Sequence, residues 1–566
     1  MHSKHILRCT SAVCFMAALA LFCAVPSLLA QGGEPQYFAI RGAKVVPVSG
    51  PPVENTTIVI SRGLISAIGK DVAIPTEAWV IEGKGLTVYP GLVDALTDVG
   101  IPAAAPLAGG EGGGPRRGAQ EGAARGPEDR PASTPWRSGA DEVSLSDKRI
   151  ETWRNGGFTT VVCAPKGGIF PGQAAVLDLA GERAGDLVVK SPVAIPVSFQ
   201  TSGGFGGGFP SSIMGVLAYI HQVWLDTEWS IGAQTVYEKN PRSMARPRYD
   251  RTEAALADAL EDHAVVLIPA NNSIQLRRGI ELADRWKVNG VLYGGQMAYE
   301  VAPEIAAKRL PVLVNLKWPE AEKDTDPEDR PSLRTLRFRD RAPSSAAALS
   351  KAGVKFAFYS GGITAPKDIL KAAKKSIDAG LAPDAALRAL TLSAAEIFGV
   401  ADRLGSIENG KIANLVITDG DLFEEKTKIK TVFVDGRKFE VREPEKPKDP
   451  PKGDISGKWK LSYTTPDGAE ESTADLTMEK DGSLAGTVTS KRGTTSLING
   501  YLSVDKFSFL INILLDGAPA DVTFSGSFDG TSLKGNISVQ GFSLEFTGVK
   551  PTSNTTAAAT VLGGAQ

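Results

Sequence analysis

The chain has 566 residues, enough for about three domains on a scale of roughly 100–200 residues each. It is 42% hydrophobic and 22% charged with a net charge of −2, the balance of a soluble globular protein with room for a sizeable core. Lys and Arg are interspersed among Asp and Glu, so no basic face forms and no nucleic-acid partner is expected.

Residues 1–30 read as a secretory signal. Lys4 and Arg8 precede a nearly continuous apolar run from Ala12 to Leu29, and the small Ala30 stands before the polar Gln31. A membrane anchor is the alternative, because the run approaches spanning length. The expected location is periplasmic or extracellular, with no membrane span once the signal is removed. Cys9, Cys14 and Cys23 all lie in this segment. That leaves Cys163, in the apolar run Thr160–Ala164, as a buried structural thiol with no internal disulfide partner. His2 and His5 also lie in the segment, and only His221 and His263 follow it.

From residue 38 to 90, short alternating apolar segments such as Lys44–Val48 and Leu64–Ile68 are separated by Gly63, Gly69 and Gly83, the pattern of a small antiparallel sheet. Over 91–402 strand-length apolar runs alternate with helical periodicity. Phe158–Cys163, Val188–Pro196, Ala264–Pro269, Gly290–Tyr293, Pro311–Leu316 and Val354–Tyr359 predict strands, and Ile274–Trp286 and Ala298–Arg309 predict helices. Repeated strand–helix alternation predicts an α/β fold, a TIM-like (β/α)8 barrel or a doubly wound sheet. A Gly/Ala/Pro/Arg tract, 103–144, reads as a disordered insert after the first barrel strand. Short strands return over 403–441. A Pro/Glu/Lys linker, 442–453, then leads to an all-β module, 454–550, with seven or eight strands in a small barrel or sandwich, and a disordered tail, 551–566. Within the module, DGSLAGTV (Asp481–Val488) and DGTSLKGNI (Asp529–Ile537) form a weak repeat.

The stretch VIEGKGLTVYPGLVDALTDVG (Val80–Gly100) and the tail RLGSIENGKIANLVITDGD (Arg403–Asp421), followed by KTVFVDGRKFEV (Lys430–Val441), resemble the two ends of the amidohydrolase superfamily, imidazolonepropionase-like branch. NGGFTTVVCAPKGGIFPGQAAVL (Asn155–Leu177) and APDAALRALTLSAAEIFGVADRLGS (Ala382–Ser406) are similar to the middle of such chains. The resemblance spans roughly residues 38–441. It implies a composite β-sandwich built from 38–90 and 403–441, around a (β/α)8 barrel over 91–402. It also implies metal-assisted hydrolysis of C–N bonds, with zinc or another divalent ion activating water at the C-terminal ends of the barrel strands.

The family's ligands do not carry over. The first-strand His-x-His falls on Leu96 and Asp98, the fifth-strand His on Pro269, the sixth-strand His on Gly294 and the eighth-strand Asp on Gly361. Leu, Pro and Gly side chains donate no lone pair, which leaves Asp98 as the one possible cation ligand. His263 precedes Pro269 by six residues, at the wrong end of its strand, and His221 lies in a predicted helix; both read as structural. Lys190 falls near the family's fourth-strand bridging position, with nothing left to bridge. The expectation is therefore that no catalytic residue, metal or cofactor is present. A residual pocket could gather Asp94, Asp98, Lys166, Asn271, Tyr293, Gln296 and Ser360, or Asp94 could simply cap the strand turn.

The reading is an exported, degenerate and non-catalytic homologue that binds a small molecule or pairs with an active relative. The alternative is a hydrolase of carbon–nitrogen, non-peptide bonds with an atypical site. A third reading places the function on an aromatic face of the C-terminal module, with Trp459, Tyr463, Tyr501 and Phe507 as candidates that also suit a core. The Gly-rich Gly203–Pro210 lacks the Lys-Ser/Thr of a phosphate loop and reads as a loop over the barrel mouth.

Overall fold

A computed structural model describes residues 37–102, 130–201, 209–321, 330–441, 449–465, 468–479, 481–491, 493–515, 518–539 and 542–550. The signal-like segment, most of the Gly-rich loop and the tail lie outside the described residues. The chain divides into two units, 1–441 and 442–566.

In the first unit, strands from both ends of the segment share one sheet. These are β1 (Tyr37–Val45), β2 (Val53–Ser61), β3 (Leu64–Gly69), β4 (Trp79–Glu82) and β5 (Thr87–Pro90) from the N-terminal side. Three more, β14 (Leu415–Thr418), β15 (Ile429–Val434) and β16 (Arg437–Glu440), come from the C-terminal side. The path runs β16–β15–β14–β5–β1–β2–β3, with β4 also on β1. The join is β5 against β14, where Val88 faces Ile417 and Tyr89 faces Val416. Phe38 on β1 and Phe433 on β15 meet edge-on at 5.2 Å although two strands separate theirs. At about 4.8 Å per strand that contact requires the sheet to fold over its own apolar face. The sandwich-like core is thus enclosed by one continuous sheet.

The Pro-Gly turn delivers the chain to the barrel. A Cβ on Gly91 would lie 2.0 Å from Thr159 Oγ1, so only glycine allows β5 to pass directly into β6 (Leu92–Thr97). The barrel sheet continues with β7 (Phe158–Cys163), β8 (Ala174–Asp178), β9 (Val188–Pro196), β10 (Val265–Ala270), β11 (Gly290–Gly294), β12 (Val312–Asn315) and β13 (Phe356–Tyr359), in sequence order. All neighbours pair parallel except β8, which is antiparallel to both β7 and β9. Only ten residues, 164–173, separate β7 from β8, and nine, 179–187, separate β8 from β9. Parallel crossovers need a dozen or more residues, usually with a helix, so these short links return the chain antiparallel. Along the seam β6 lies beside β13, and the Asp94 carboxylate accepts the Ser360 backbone N–H at 2.9 Å.

The barrel interior is filled by Val93, Val162, Val176, Val193, Leu267, Val291, Leu313 and Ala357, and Ala394, Ala395, Phe398 and Leu404 pack against them. Helices cover the outside; the longest is Ile213–Lys239, whose buried face carries Val216, Ile220, Val223 and Trp224. The predicted helix at Ala298–Arg309 is broken into a short 3-10 turn, Ala298–Glu300, and a helix, Ala302–Lys308. Of the insert 103–144, residues 130–144 are ordered: Arg130 pairs with Asp226 at 2.7 Å and Asp250 at 3.1 Å, and Gly139–Glu142 is helical. Four charges in a partly buried cluster, with Glu253 as the fourth, hold a segment whose composition alone predicts disorder. Residues 103–129 lie outside the described residues.

The second unit is a closed antiparallel barrel. Its path runs β18 (Gly468–Met478), β17 (Gly457–Thr465), β25 (Phe542–Val549), β24 (Ser532–Val539), β23 (Ala518–Phe528), β22 (Lys506–Leu515), β21 (Ile498–Ser503) and β19 (Ser483–Ser490). β19 pairs back onto β18 to close the ring and also carries β20 (Gly493–Ser496). The two copies of the weak repeat are turn-plus-strand units. Asp481 accepts the Ser483 N–H, and Asp529 accepts those of Thr531 and Ser532. Trp459 and Phe507 are buried in the barrel core with Phe509, Phe524 and Phe546, so the aromatic face suggested by sequence points inward at these two positions.

Candidate functional site

At the C-terminal ends of the strands a cleft of ≈ 610 Å³ opens. Of the positions singled out in the sequence, Leu96, Asp98, Lys166, Tyr293, Ser360 and Gly361 line it; Asp94, Pro269, Asn271, Gly294 and Gln296 do not. Residues not anticipated from sequence complete it: Arg149, Trp153, Gln200, Asn315 and Tyr359. Asn315 and Tyr359 are the last residues of β12 and β13, so the rule that barrel sites lie at strand C-termini would have found them. Arg149 and Trp153 sit on the helix Arg149–Asn155 that follows the insert, and no motif marks them.

Among the described residues Asp98 is the sole carboxylate lining the cleft, and it is engaged. Lys166 Nζ lies 2.8 Å from Oδ2, and an Arg149 guanidinium nitrogen 3.2 Å from Oδ1. Partial burial pushes its carboxyl up, but the Lys166 hydrogen bond and the Lys166 and Arg149 charges outweigh that and hold it below the usual range. Arg149 is itself fixed by Asp147 and by the carbonyls of Asp98 and Ile101.

Asp94 lies beneath the cleft, buried. It accepts Trp153 Nε1–H at 3.1 Å as well as the Ser360 N–H. Burial raises its carboxyl to about 6 against these hydrogen bonds. Its role is to join β6, β13 and the Arg149–Asn155 helix. Asn271 and Gln296 are also structural. The Asn271 N–H donates to Gln275, and Gln296 Nε2 donates to the carbonyls of Asn315 and Lys317. Burial raises the hydroxyls of Tyr293 and Tyr359 well above their ordinary range, so both act as neutral donors.

The positions that the resemblance aligns with metal ligands leave little room for a side chain at the two glycines. Gly361 has φ +59°, and a Cβ there would lie 1.9 Å from Asn315 Oδ1. Gly294 has φ +116°, and a Cβ would meet Asn271 Oδ1 at 2.6 Å and the Ala270 backbone at 2.9 Å. Pro269 is buried inside β10, opposite Tyr293 on β11. Lys190, which the resemblance placed near the mouth, is the third residue of β9. It lies at the opposite end of the barrel, with Nζ 3.3 Å from the Gly399 carbonyl. His263 lines that same far end, and His221 sits within the long helix.

Among the described residues no group of three or more His, Cys, Asp or Glu is placed to hold a metal ion. Cys163 is buried and its thiol is pushed up, chiefly by burial. One ion-paired carboxylate does not fit the three- or four-donor set of a catalytic metal, so no step can be drawn through such an ion at these positions.

Residues 254–442 match the amidohydrolase family. No curated protein matches the chain. Among solved structures, an amidohydrolase from Thermotoga maritima MSB8 is 22% identical, with a TM-score of 0.56 over 71% of this chain and 100% of its own. An Xaa-Pro dipeptidase with bound methionine in its active site is 17% identical over 71% and 100%, with a TM-score of 0.45. An adenosine deaminase from Xanthomonas campestris with bound zinc is 16% identical over 73% and 95%, with a TM-score of 0.41. The family match overturns the expectation that no cofactor belongs here, because it points to a metal cofactor, although the donors at Leu96, Asp98, Pro269, Gly294 and Gly361 do not suit one. The fold and the family match make this a hydrolase-like protein, and the chain carries a domain of the amidohydrolase family on a (β/α)8-type barrel.

Proposed function

We propose that the protein is an exported, non-catalytic amidohydrolase homologue whose barrel mouth binds a small polar molecule rather than hydrolysing it. One observation carries the reading: where the family places its eighth-strand carboxylate there is Gly361, and the room for a side chain is taken by Asn315. Asp98 is locked as an anion between two cations, and Asp94 is buried beneath the wall. What the cleft does offer is recognition. Trp153, Tyr293 and Tyr359 supply apolar and aromatic wall, and Lys166, Gln200 and Asn315 supply polar contacts. Export rests on Lys4, Arg8 and the apolar run Ala12–Leu29.

The proposal concerns turnover, not metal content. The test takes the purified full chain, measures its metals by elemental analysis, and assays lactam and dipeptide hydrolysis with added zinc or manganese. It then screens small polar compounds by thermal shift. The expected result is no turnover with either ion, and a compound whose stabilisation is lost in Lys166→Gln. Metal-dependent turnover would return the protein to the working hydrolases of carbon–nitrogen bonds. Fractionation of cells producing the full chain tests export; retention in the cytoplasm contradicts that part.

A further inference from the structure

The barrel has a second cavity, at the N-terminal ends of its strands and so at the end opposite the mouth. It encloses ≈ 550 Å³ and is lined by Lys190, His263, Lys308, Arg309 and Lys355, with Glu396 as its one carboxylate. The basic residues come from successive elements. Lys190 is near the start of β9, and His263 stands just before β10. Arg309 closes the helix that leads to β12, and Lys355 immediately precedes β13. Parallel pairing of β9 to β13 brings these four points to one rim. Four basic side chains, three lysines and one arginine, thus converge in a molecule whose net charge is −2.

Two of the four are partly neutralised. Lys355 pairs with Glu396 at 2.8 Å and Lys308 with Asp284 at 2.5 Å. Among the described residues Lys190 reaches only a backbone carbonyl, that of Gly399. Arg309 and His263 form no ion pair among the described residues. Part of this arrangement has a simpler cause, since basic residues complement the dipoles of helices ending at this face, as Lys308 does in the last turn of Ala302–Lys308. That accounts neither for Lys190, which follows no such helix, nor for the concave space the cations surround. A concave, like-charged, low-dielectric rim focuses its field inward and concentrates counter-ions.

We propose that this cavity is a binding site for a small multivalent oxyanion, held chiefly by Lys190 and Arg309 and separate from the barrel mouth. A ligand bearing several phosphate or carboxylate oxygens would meet Arg309 as a forked donor and Lys190 as a point charge.

The test is calorimetric titration of the full chain with inorganic pyrophosphate and, in parallel, citrate. At least one should bind with submillimolar affinity, and that affinity should fall as sodium chloride is raised. In the double variant Lys190→Gln, Arg309→Gln it should weaken by about ten-fold or more, whereas Lys166→Gln at the mouth should leave it unchanged. Both positions are solvent-accessible, and matching thermal melts of variant and wild type confirm that the fold is kept. Preference for pyrophosphate or for citrate identifies the oxyanion class. Absence of binding by both up to about 10 mM, binding indifferent to the double variant, or loss in Lys166→Gln alone would each overturn the proposal.

Discussion

The hydroxyl of Tyr293 donates to the carbonyl of Val197 at 2.9 Å, where the barrel's own ladder has lost a donor. Val197 N–H bonds to the Leu267 carbonyl, so the next rung of a parallel ladder would run from the N–H of residue 269 to the carbonyl of Val197. Residue 269 is proline and has no N–H. A tyrosine from the neighbouring strand satisfies the buried carbonyl instead, which couples Tyr293 to Pro269, two positions that the sequence leaves unrelated.

Tyr293→Phe should therefore destabilise the first unit by about 1–3 kcal/mol, the cost of an unpaired buried acceptor. Pro269→Ala in the Tyr293→Phe background should recover part of that loss, because residue 269 would regain its N–H. Urea unfolding of both single variants and the double variant measures the coupling; strictly additive effects would show that the two residues are independent.

Gly361→Asp should not restore a metal ligand. The new side chain meets Asn315 Oδ1 at a residue with φ +59°, and a loss of about 2 kcal/mol or more is expected. Adding Asn315→Gly should return a good part of the stability by vacating that space. If Gly361→Asp alone is as stable as wild type, Asn315 does not occupy that space.

Asp178 gives the protein a pH-dependent stability. Burial raises its carboxyl to about 7, against hydrogen bonds from Thr160 Oγ1 at 2.7 Å and Asn414 Nδ2 at 2.9 Å. The folded state therefore holds the proton more tightly than the unfolded chain, whose carboxyl titrates near about 4. The contribution is fully present below that value and is lost as pH rises through about 7. Asp94, raised to about 6, adds a slope of the same sign over a lower range. Asp178→Asn should match wild type near pH 4.5 and exceed it at pH 8 by on the order of 1–3 kcal/mol. Urea midpoints at several pH values decide; a variant that is less stable at pH 8 contradicts the assignment.

The C-terminal barrel should fold when produced alone as residues 449–550. Its ring is closed by β18–β19 pairing, and its core holds Trp459, the single tryptophan of the unit. Cooperative urea unfolding followed by that fluorescence is expected. A broad, non-cooperative change would mean that the unit needs the rest of the chain.

Much of the fold was legible because particular residues leave few options. Pro90-Gly91 marks the passage from sheet to barrel, since no other residue fits beside Thr159. The direction of β8 was not legible, because an apolar run such as Ala174–Asp178 reads the same either way and connection length decides. Lys190 was misplaced because resemblance located its strand but not how far along that strand it sits. The intrusion of Asn315 beside Gly361 depends on Asn315 standing opposite Tyr359 in the β12–β13 register, which no local pattern encodes. The order of residues 130–144 was hidden because Arg130 finds its carboxylates about a hundred residues away.

The antiparallel β8 also bears on how the chain reaches this structure. Parallel pairs such as β9 with β10 must wait for a connection of 68 residues, 197–264, to be threaded outside the barrel. The β7–β8–β9 meander closes through links of ten and nine residues and pays far less loop-closure entropy. It supplies three adjacent staves from purely local contacts, and local contacts form early. The meander is therefore the natural nucleus of the barrel: its amides should gain protection from exchange before those of β12 and β13, which complete the wall last.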